Sequence, residues 1–431
     1  MLGRSSGWLL AAVASVSMPV MAGGDIVNDW SAQLYDEIRK HGDFEIASPG
    51  VVSRYSAIMY VSMYDAANSV YRTHEPYLGF GECPEDTSPE VAAAAAAHAV
   101  LSTLFPNDTA AYDALLEKQL AEFPDGPAKK NGLALGVSCA AACIKAREGD
   151  GSTNYVEYAI GDEPGEWVPT FPDYTGAWGP HWAYVSPWCM TSGDMFRPET
   201  GPYGYNDIPS ILASPEYAKD FEDVRLNGAI YSETRTPDET QAAIFWANDR
   251  NGTFKPPGHL LHITERIAEV QGNTFQENLR LFAQVALAMA DAGIASWDTK
   301  YATDVDLWRP ITGIWEADTD GNPATEADPS WLGLSYDVSL LIFTPPFPAW
   351  ASGHATFGAA HAAVVRNFYG TDEISFSATS DDTPGYYRSF TSLDAMAREN
   401  ARSRIWLGVH WQGDADTGYE IGAKVGNYVS A

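Results

Sequence analysis

Thr344-Pro-Pro-Phe347-Pro348-Ala-Trp-Ala-Ser352-Gly353-His354-Ala-Thr-Phe-Gly-Ala-Ala-His361-Ala-Ala-Val-Val-Arg-Asn-Phe368 changes character halfway. The prolines forbid a helix over 344–348, because each ring fixes φ and removes a backbone N–H. From Gly353 to Phe368, apolar and small residues recur at three- and four-residue spacing, as in a packed helix. Ser352, Gly353 and His354 therefore occupy a helix start, where amides lack intrahelical acceptors and the dipole end is positive. Gly353, without a Cβ, lets its backbone approach a ligand.

The same periodicity extends outward through most of the chain. It predicts helices over Asn28 to Lys40, Val51 to Val70, Val91 to Phe105, Ala110 to Phe123 and Gly132 to Arg147. A Pro/Gly/Trp-rich passage from Gly149 to Pro209 interrupts them and reads as an ordered connection. Helices resume over Pro215 to Gly228, Pro237 to Ala247 and one long run from Leu260 to Trp297, then over Leu393 to Trp406 and Gln412 to Tyr428. Alternating patterns never persist long enough for a large sheet. The expected fold class is all-α, made of packed helical bundles with long ordered loops. The expected organisation is a signal at 1–22, an N-terminal lobe with the connecting region at 23–214, and a C-terminal lobe at 215–431.

Composition bounds the partners. The chain of 431 residues carries 26 Lys+Arg against 57 Asp+Glu, a net charge of −31. Nucleic acid and anionic membrane would be repelled. Arg4, the apolar run Trp8 to Val16 and the small-residue site Val20-Met21-Ala22 read as a secretory signal, so an exported protein, periplasmic or secreted, is expected. No later segment reaches about 18 uninterrupted apolar residues, so no membrane span is expected. Four cysteines, Cys83, Cys139, Cys143 and Cys189, allow two disulfides or buried free thiols. Asp318-x-Asp320-x-Asn322 reads as a solvated turn, since Pro323 stands where a calcium loop needs Gly. His98, His181, His259, His262 and His361 read as packing or surface residues; His361, seven after His354, faces nearly the same way.

Two further segments flank the opening stretch in kind. Lys300-Tyr-Ala-Thr-Asp-Val-Asp-Leu-Trp-Arg309-Pro310 ends on a proline suited to a first helical position, so Arg309 sits at a helix start. In Ser403-Arg404-Ile-Trp-Leu-Gly408-Val-His410-Trp-Gln-Gly-Asp414, Gly408 permits a break, with Arg404 ending one helix and His410 beginning the next. Asp414 then falls on the face of His410. Three cations, one hydroxyl, free amides and two imidazoles together suit a tetrahedral oxyanion.

In this order and spacing the residues resemble the motifs of the type-2 phosphatidic acid phosphatase and vanadium-dependent haloperoxidase superfamily. Ala351 stands where that pattern has Pro, and Lys300 lies nine positions before Arg309 instead of seven. Trp297-Asp-Thr-Lys300-Tyr, Trp308-Arg309-Pro310, Phe343-Thr-Pro-Pro-Phe347-Pro and Gly408-Val-His410-Trp411 are similar to the haloperoxidase versions. The resemblance implies a vanadate cofactor, in a site that phosphate can also occupy, with His410 as the metal ligand and Asp414 orienting it. It implies that Lys300, Arg309 and Arg404, with the Ser352 hydroxyl and Gly353 amide, hold the equatorial oxygens. His354 becomes the acid–base group, and Lys300 polarises bound peroxide. The implied partners are hydrogen peroxide, halide and a small organic acceptor. The alternatives left open are a phosphomonoesterase working through a phosphohistidine at His410, and a noncatalytic exported anion-binding protein.

Overall fold

The computed structural model describes residues 25–41, 47–79, 83–336 and 342–431. The segment read as a signal, 1–22, lies outside them. The described residues form fourteen α-helices: α1 Ile26–Lys40, α2 Pro49–Tyr71, α3 Pro89–Leu104, α4 Thr109–Leu120, α5 Pro127–Ala146, α6 Ile208–Leu212, α7 Pro215–Asn227, α8 Pro237–Phe245, α9 Lys255–Gln271, α10 Phe275–Tyr301, α11 Pro310–Trp315, α12 Gly353–Tyr369, α13 Leu393–Trp406 and α14 Gln412–Val429. Six begin on a proline, whose missing N–H costs nothing there. Ser88, Ser214, Thr236, Thr274, Ser352 and Ser392 cap their helices with a side-chain oxygen. The architecture is all-α, as the periodicity predicts.

The long run expected from Leu260 to Trp297 is two helices. Gly272 takes φ +72° and ends α9, and a Thr274–Glu277 capping box starts α10. Apolar periodicity continues through the break because both helices face the same core. α10 is the central element, packed on α2, α12 and α14, and every residue from Val285 to Lys300 is buried. By length and composition this helix is apolar enough to cross a bilayer, but its neighbours in the fold cover it.

α12 and α14 meet backbone to backbone. A Cβ built on Gly418, Gly422 or Gly426 would lie 2.5, 2.1 and 2.4 Å from the carbonyl oxygens of Ser352, Thr356 and Ala360. Glycine at these positions is what lets the helices approach so closely.

Two elements lie outside the sequence reading. A hairpin of β1 Phe376–Ser380 and β2 Thr383–Phe390 pairs Phe376 with Phe390 and Ser380 with Thr383. Asp320 and Asn322 are buried, not solvated: the Asn322 side chain donates to the carbonyls of Leu212 and Ser214. The connecting passage is ordered, as expected, and largely non-helical. The Asp291 carboxylate anchors it by accepting the amides of Trp188, Cys189 and Met190. All four cysteines are free; Cys139 and Cys143 are buried, and burial pushes both thiols up to about 12.

Candidate oxyanion site

Lys300 closes the last turn of α10, and its ammonium donates to the carbonyls of Pro348 (2.6 Å) and Ala349 (3.0 Å). Arg309 caps α11 and donates through Nε to the Phe347 carbonyl at 2.8 Å and through Nη1 to that of Val409 at 2.7 Å. The Phe347 ring has the Lys300 ammonium 5.1 Å and the Arg309 guanidinium 4.9 Å from its centroid. The long Lys300–Arg309 spacing is therefore absorbed without separating the two cations. The extra residues form a loop pinned to the connecting passage: Trp167 N–H bonds the Asp306 carbonyl, Trp308 N–H bonds that of Gly165, and the Tyr158 hydroxyl reaches the Asp306 carboxylate.

His410 sits in the link between α13 and α14, just before the Trp411 cap, so it belongs to neither helix. Gly408 at φ +79° makes the expected break. Asp414, in the first turn of α14, reaches back to accept both His410 Nδ1–H (3.0 Å) and the Trp411 amide (2.9 Å). The pairing of His410 with Asp414 thus comes from a capping geometry, not from a shared helical face. Arg309 Nη1, which can only donate, lies 3.1 Å from His410 Nε2. The proton is therefore on Nδ1 and the lone pair on Nε2. Burial, reinforced by Arg309, Lys300 and Arg404, pushes the imidazole well below its ordinary range, so it stays neutral. Burial pushes the Asp414 carboxyl up to about 7, against the pull of the Trp411 amide, Lys300 and Arg309.

His354 lies in the first turn of α12, and its Nε2 faces two acceptors, the carbonyls of Trp246 (3.1 Å) and Ala247 (3.0 Å). Nε2 must therefore carry the proton, leaving Nδ1 as the basic nitrogen. Burial and the Arg404 charge push this imidazole down to about 4. Ser352 caps α12, its hydroxyl oxygen accepting distantly from the Ala355 amide (3.5 Å) and keeping its own proton to donate. The space a Cβ on Gly353 would take faces the Trp297 ring at 3.2 Å, a tight approach that the indole would have to ease by a few tenths of an ångström.

Sequence reasoning missed Asp249. It comes from the irregular segment between α8 and α9, and its Oδ2 accepts Arg404 Nη2 at 2.7 Å and lies 4.0 Å from His354 Nε2. No motif spacing marks it; only the apposition of distant loops does. Arg404 lies within the last turn of α13, close to the expected helix end. The other histidines have different partners: His98 pairs with Asp113, His262 with Glu265 and His361 with Thr264, while His181 packs on Trp178 and Trp182. His259 bonds Asn248, beside Asp249.

The pocket keeps unspent donors. Arg309 Nη2, Arg404 Nε and Arg404 Nη1 are buried without a partner, as is Asp414 Oδ1. Unpaired buried guanidinium N–H groups cost free energy that an oxyanion guest recovers. Crowding of like charges adds to this: burial and Arg309 push Lys300 well below the usual ammonium range, and burial outweighs Asp414 to push Arg309 down to about 9. At neutral pH that guanidinium remains charged. Donor-only groups around a neutral imidazole lone pair fit a vanadate or phosphate ion.

An all-α fold with such a buried cluster of donors suits few classes of protein, and comparison with known proteins narrows them further. Residues 280–431 match the VCPO second helical-bundle domain. The chain is 32% identical to vanadium chloroperoxidase of Curvularia inaequalis over 271 residues, 50% of this chain and 44% of that protein, so it aligns with less than half of the relative's length. The first bacterial vanadium-dependent iodoperoxidase structure superposes with a TM-score of 0.77 at 25% identity, covering 96% of this chain and 97% of that one. The holo-type bacterial vanadium-dependent chloroperoxidase superposes with a TM-score of 0.66 at 18% identity, covering 94% and 96%, a likeness of fold. Residues 280–431 thus carry a VCPO-type second helical-bundle domain, and the chain as a whole is similar in fold to vanadium-dependent haloperoxidases.

Proposed function

We propose that the protein is a vanadium-dependent haloperoxidase, oxidising halide with hydrogen peroxide to hypohalous acid that a small organic acceptor consumes. The observation that carries the reading is the set of orphaned donors: Arg309 Nη2 on the guanidinium that meets the His410 lone pair, and Arg404 Nε and Nη1, whose charge acts on both His410 and Arg309. Lys300, Arg309, Arg404, Ser352 and the Gly353 amide would hold vanadate, and His410 Nε2 would be its protein ligand. When bound, vanadate supplies a Lewis-acidic centre that activates peroxide without changing oxidation state.

The chain's own groups supply the rest. Asp414 holds the His410 proton on Nδ1 and so keeps Nε2 available as a donor atom. The carbonyls of Trp246 and Ala247 hold the His354 proton on Nε2, leaving Nδ1 to take a proton from peroxide. Asp249 neutralises one edge of Arg404 and leaves the other edge for an anion. Phe347 and Trp297 keep the ammonium side of the pocket apolar. We further propose export through the 1–22 signal, which the N-terminal sequence of the mature protein checks.

The test is bromination of a phenolic dye by vanadate-loaded protein with peroxide and bromide, alongside phosphate release from an aryl phosphate. Halogenation without phosphatase activity supports the reading. Vanadate-inhibited phosphatase activity without halogenation supports a phosphohistidine enzyme, and inactivity in both assays overturns both.

A further inference from the structure

The turn of the β1–β2 hairpin is Asp381-Asp382, and both carboxylates reach into the segment between α8 and α9. Asp382 accepts the Asn248 amide at 2.6 Å and pairs with the Arg250 guanidinium. Asp381 accepts the Phe254 amide at 2.8 Å, and it also holds Arg39 of α1 through Nε at 2.9 Å and Nη2 at 3.0 Å. The hairpin tip thus grips one segment near both of its ends and ties it to a third element.

Within the segment, the Lys255 ammonium donates to the Asp249 and Arg250 carbonyls and the Thr253 hydroxyl bonds those of Asn248 and Arg250, so the hairpin carboxylates clamp an already knotted loop from outside. It is irregular from Ala247 to Phe254, and the non-glycine residues Asn248 and Lys255 at its ends take φ of +42° and +60°. Such conformations are costly for side-chain-bearing residues and persist only where surroundings impose them. Yet the same segment presents the Trp246 and Ala247 carbonyls to His354 and the Asp249 carboxylate to Arg404. The hairpin adds a further tie, since the Thr379 carbonyl meets His259 Nε2 and His259 Nδ1 meets the Asn248 side chain.

We infer that Asp381 and Asp382 are positioning residues for the oxyanion site: they clamp the 246–254 segment, which orients His354 and fixes the free edge of Arg404. Neither carboxylate bonds Arg404 or His354, although the nearby Asp382 charge also acts on the Arg404 guanidinium. The inference rests on the oxyanion reading of the site and adds a remote device that sets its affinity.

The experiment measures inorganic phosphate binding calorimetrically in the full chain, for wild type, Asp382→Ala, Asp382→Asn and Arg147→Ala. Arg147 lies in a separate buried cluster, so its variant reports what lost stability alone does. Asp382→Ala is expected to weaken phosphate by about five- to thirtyfold. Asp382→Asn should recover part of this, because its carbonyl oxygen still accepts the Asn248 amide. Arg147→Ala should bind as wild type does. In 15N-histidine spectra, His354 should lose its single Nε2–H signature in Asp382→Ala alone. Equal binding by wild type and Asp382→Ala, or equal weakening by Arg147→Ala, overturns the inference. If Asp382→Ala does not fold, unchanged affinity in Asp382→Asn overturns it instead. A wild type that takes no phosphate sinks the oxyanion reading and this inference together, a distinguishable failure.

Discussion

Arg147 and Arg404 are both buried guanidinium groups paired with an aspartate, yet their surroundings treat them differently. Arg147 donates to Asp150 at 3.0 Å and to the carbonyls of Pro187 (3.2 Å) and Ser186 (2.5 Å), with the Trp188 ring 4.3 Å away. Asp150 also holds Arg54 and the Ser152 amide. Arg404 gives one nitrogen to Asp249 and leaves two unpartnered. A charge that only braces the fold is saturated by the fold, since each missing bond costs stability. On the proposed reading, the partner that Arg404 lacks is an anion from solution.

Four measurements break or sharpen that contrast, beginning with the largest effect. His354→Ala should retain vanadate through dialysis while halide turnover falls by about 10² to 10⁴, the usual worth of a positioned acid–base group. Loss of vanadate along with turnover would show that His354 holds the anion. Next, Arg147→Ala should lower unfolding free energy by about 3–5 kcal/mol, the cost of breaking a buried pair, without changing phosphate affinity. Arg404→Ala should instead abolish most phosphate binding; similar affinity losses in both variants would erase the distinction. Third, phosphate at about 100 times its dissociation constant should stabilise wild type by about 2.7 kcal/mol, read as a melting-temperature rise, and leave Arg309→Ala/Arg404→Ala unmoved.

The smallest effect concerns His361, a fully buried imidazole that burial alone pushes down to about 3. The unfolded chain takes up a proton near pH 6.5 that the folded chain refuses until about 3. Stability from this group is therefore complete above 6.5 and lost as pH falls, at up to about 1.4 kcal/mol per unit. Melting temperature should decline less steeply from pH 6.5 to 4.5 in His361→Gln than in wild type. Parallel profiles would show that the folded state accommodates the charge.

Much of the pocket was legible because its residues obey local rules. Pro310 marks the start of α11 and so places Arg309; the change from prolines to small residues places Ser352, Gly353 and His354; Gly408 marks the break before His410. What escaped depends on contacts between segments far apart in sequence. Asp249 is 155 residues from Arg404, in a segment with no periodicity of its own. The hairpin escaped because only five residues form β1, too few for alternation to stand out. The break between α9 and α10 was hidden by continuous apolar spacing, although Gly272 and the Thr274–Glu277 pair are ordinary boundary signals.

The glycines of α14 have a consequence for what the pocket admits. Ser352 and Asp414 stand at the starts of two rods whose main chains already touch, the Asp414 carbonyl accepts the Ser352 amide at 2.9 Å, and His410 lies in the link that leads into the second rod. The side chains beside the α14 glycines are short, those of Ala355, Thr356, Ala359 and Ala363, with little room to yield. The width offered to a guest is in this respect a property of the scaffold, and a single methyl group at Gly418 would act as a shim, prying the rods apart without altering any group that meets the ion.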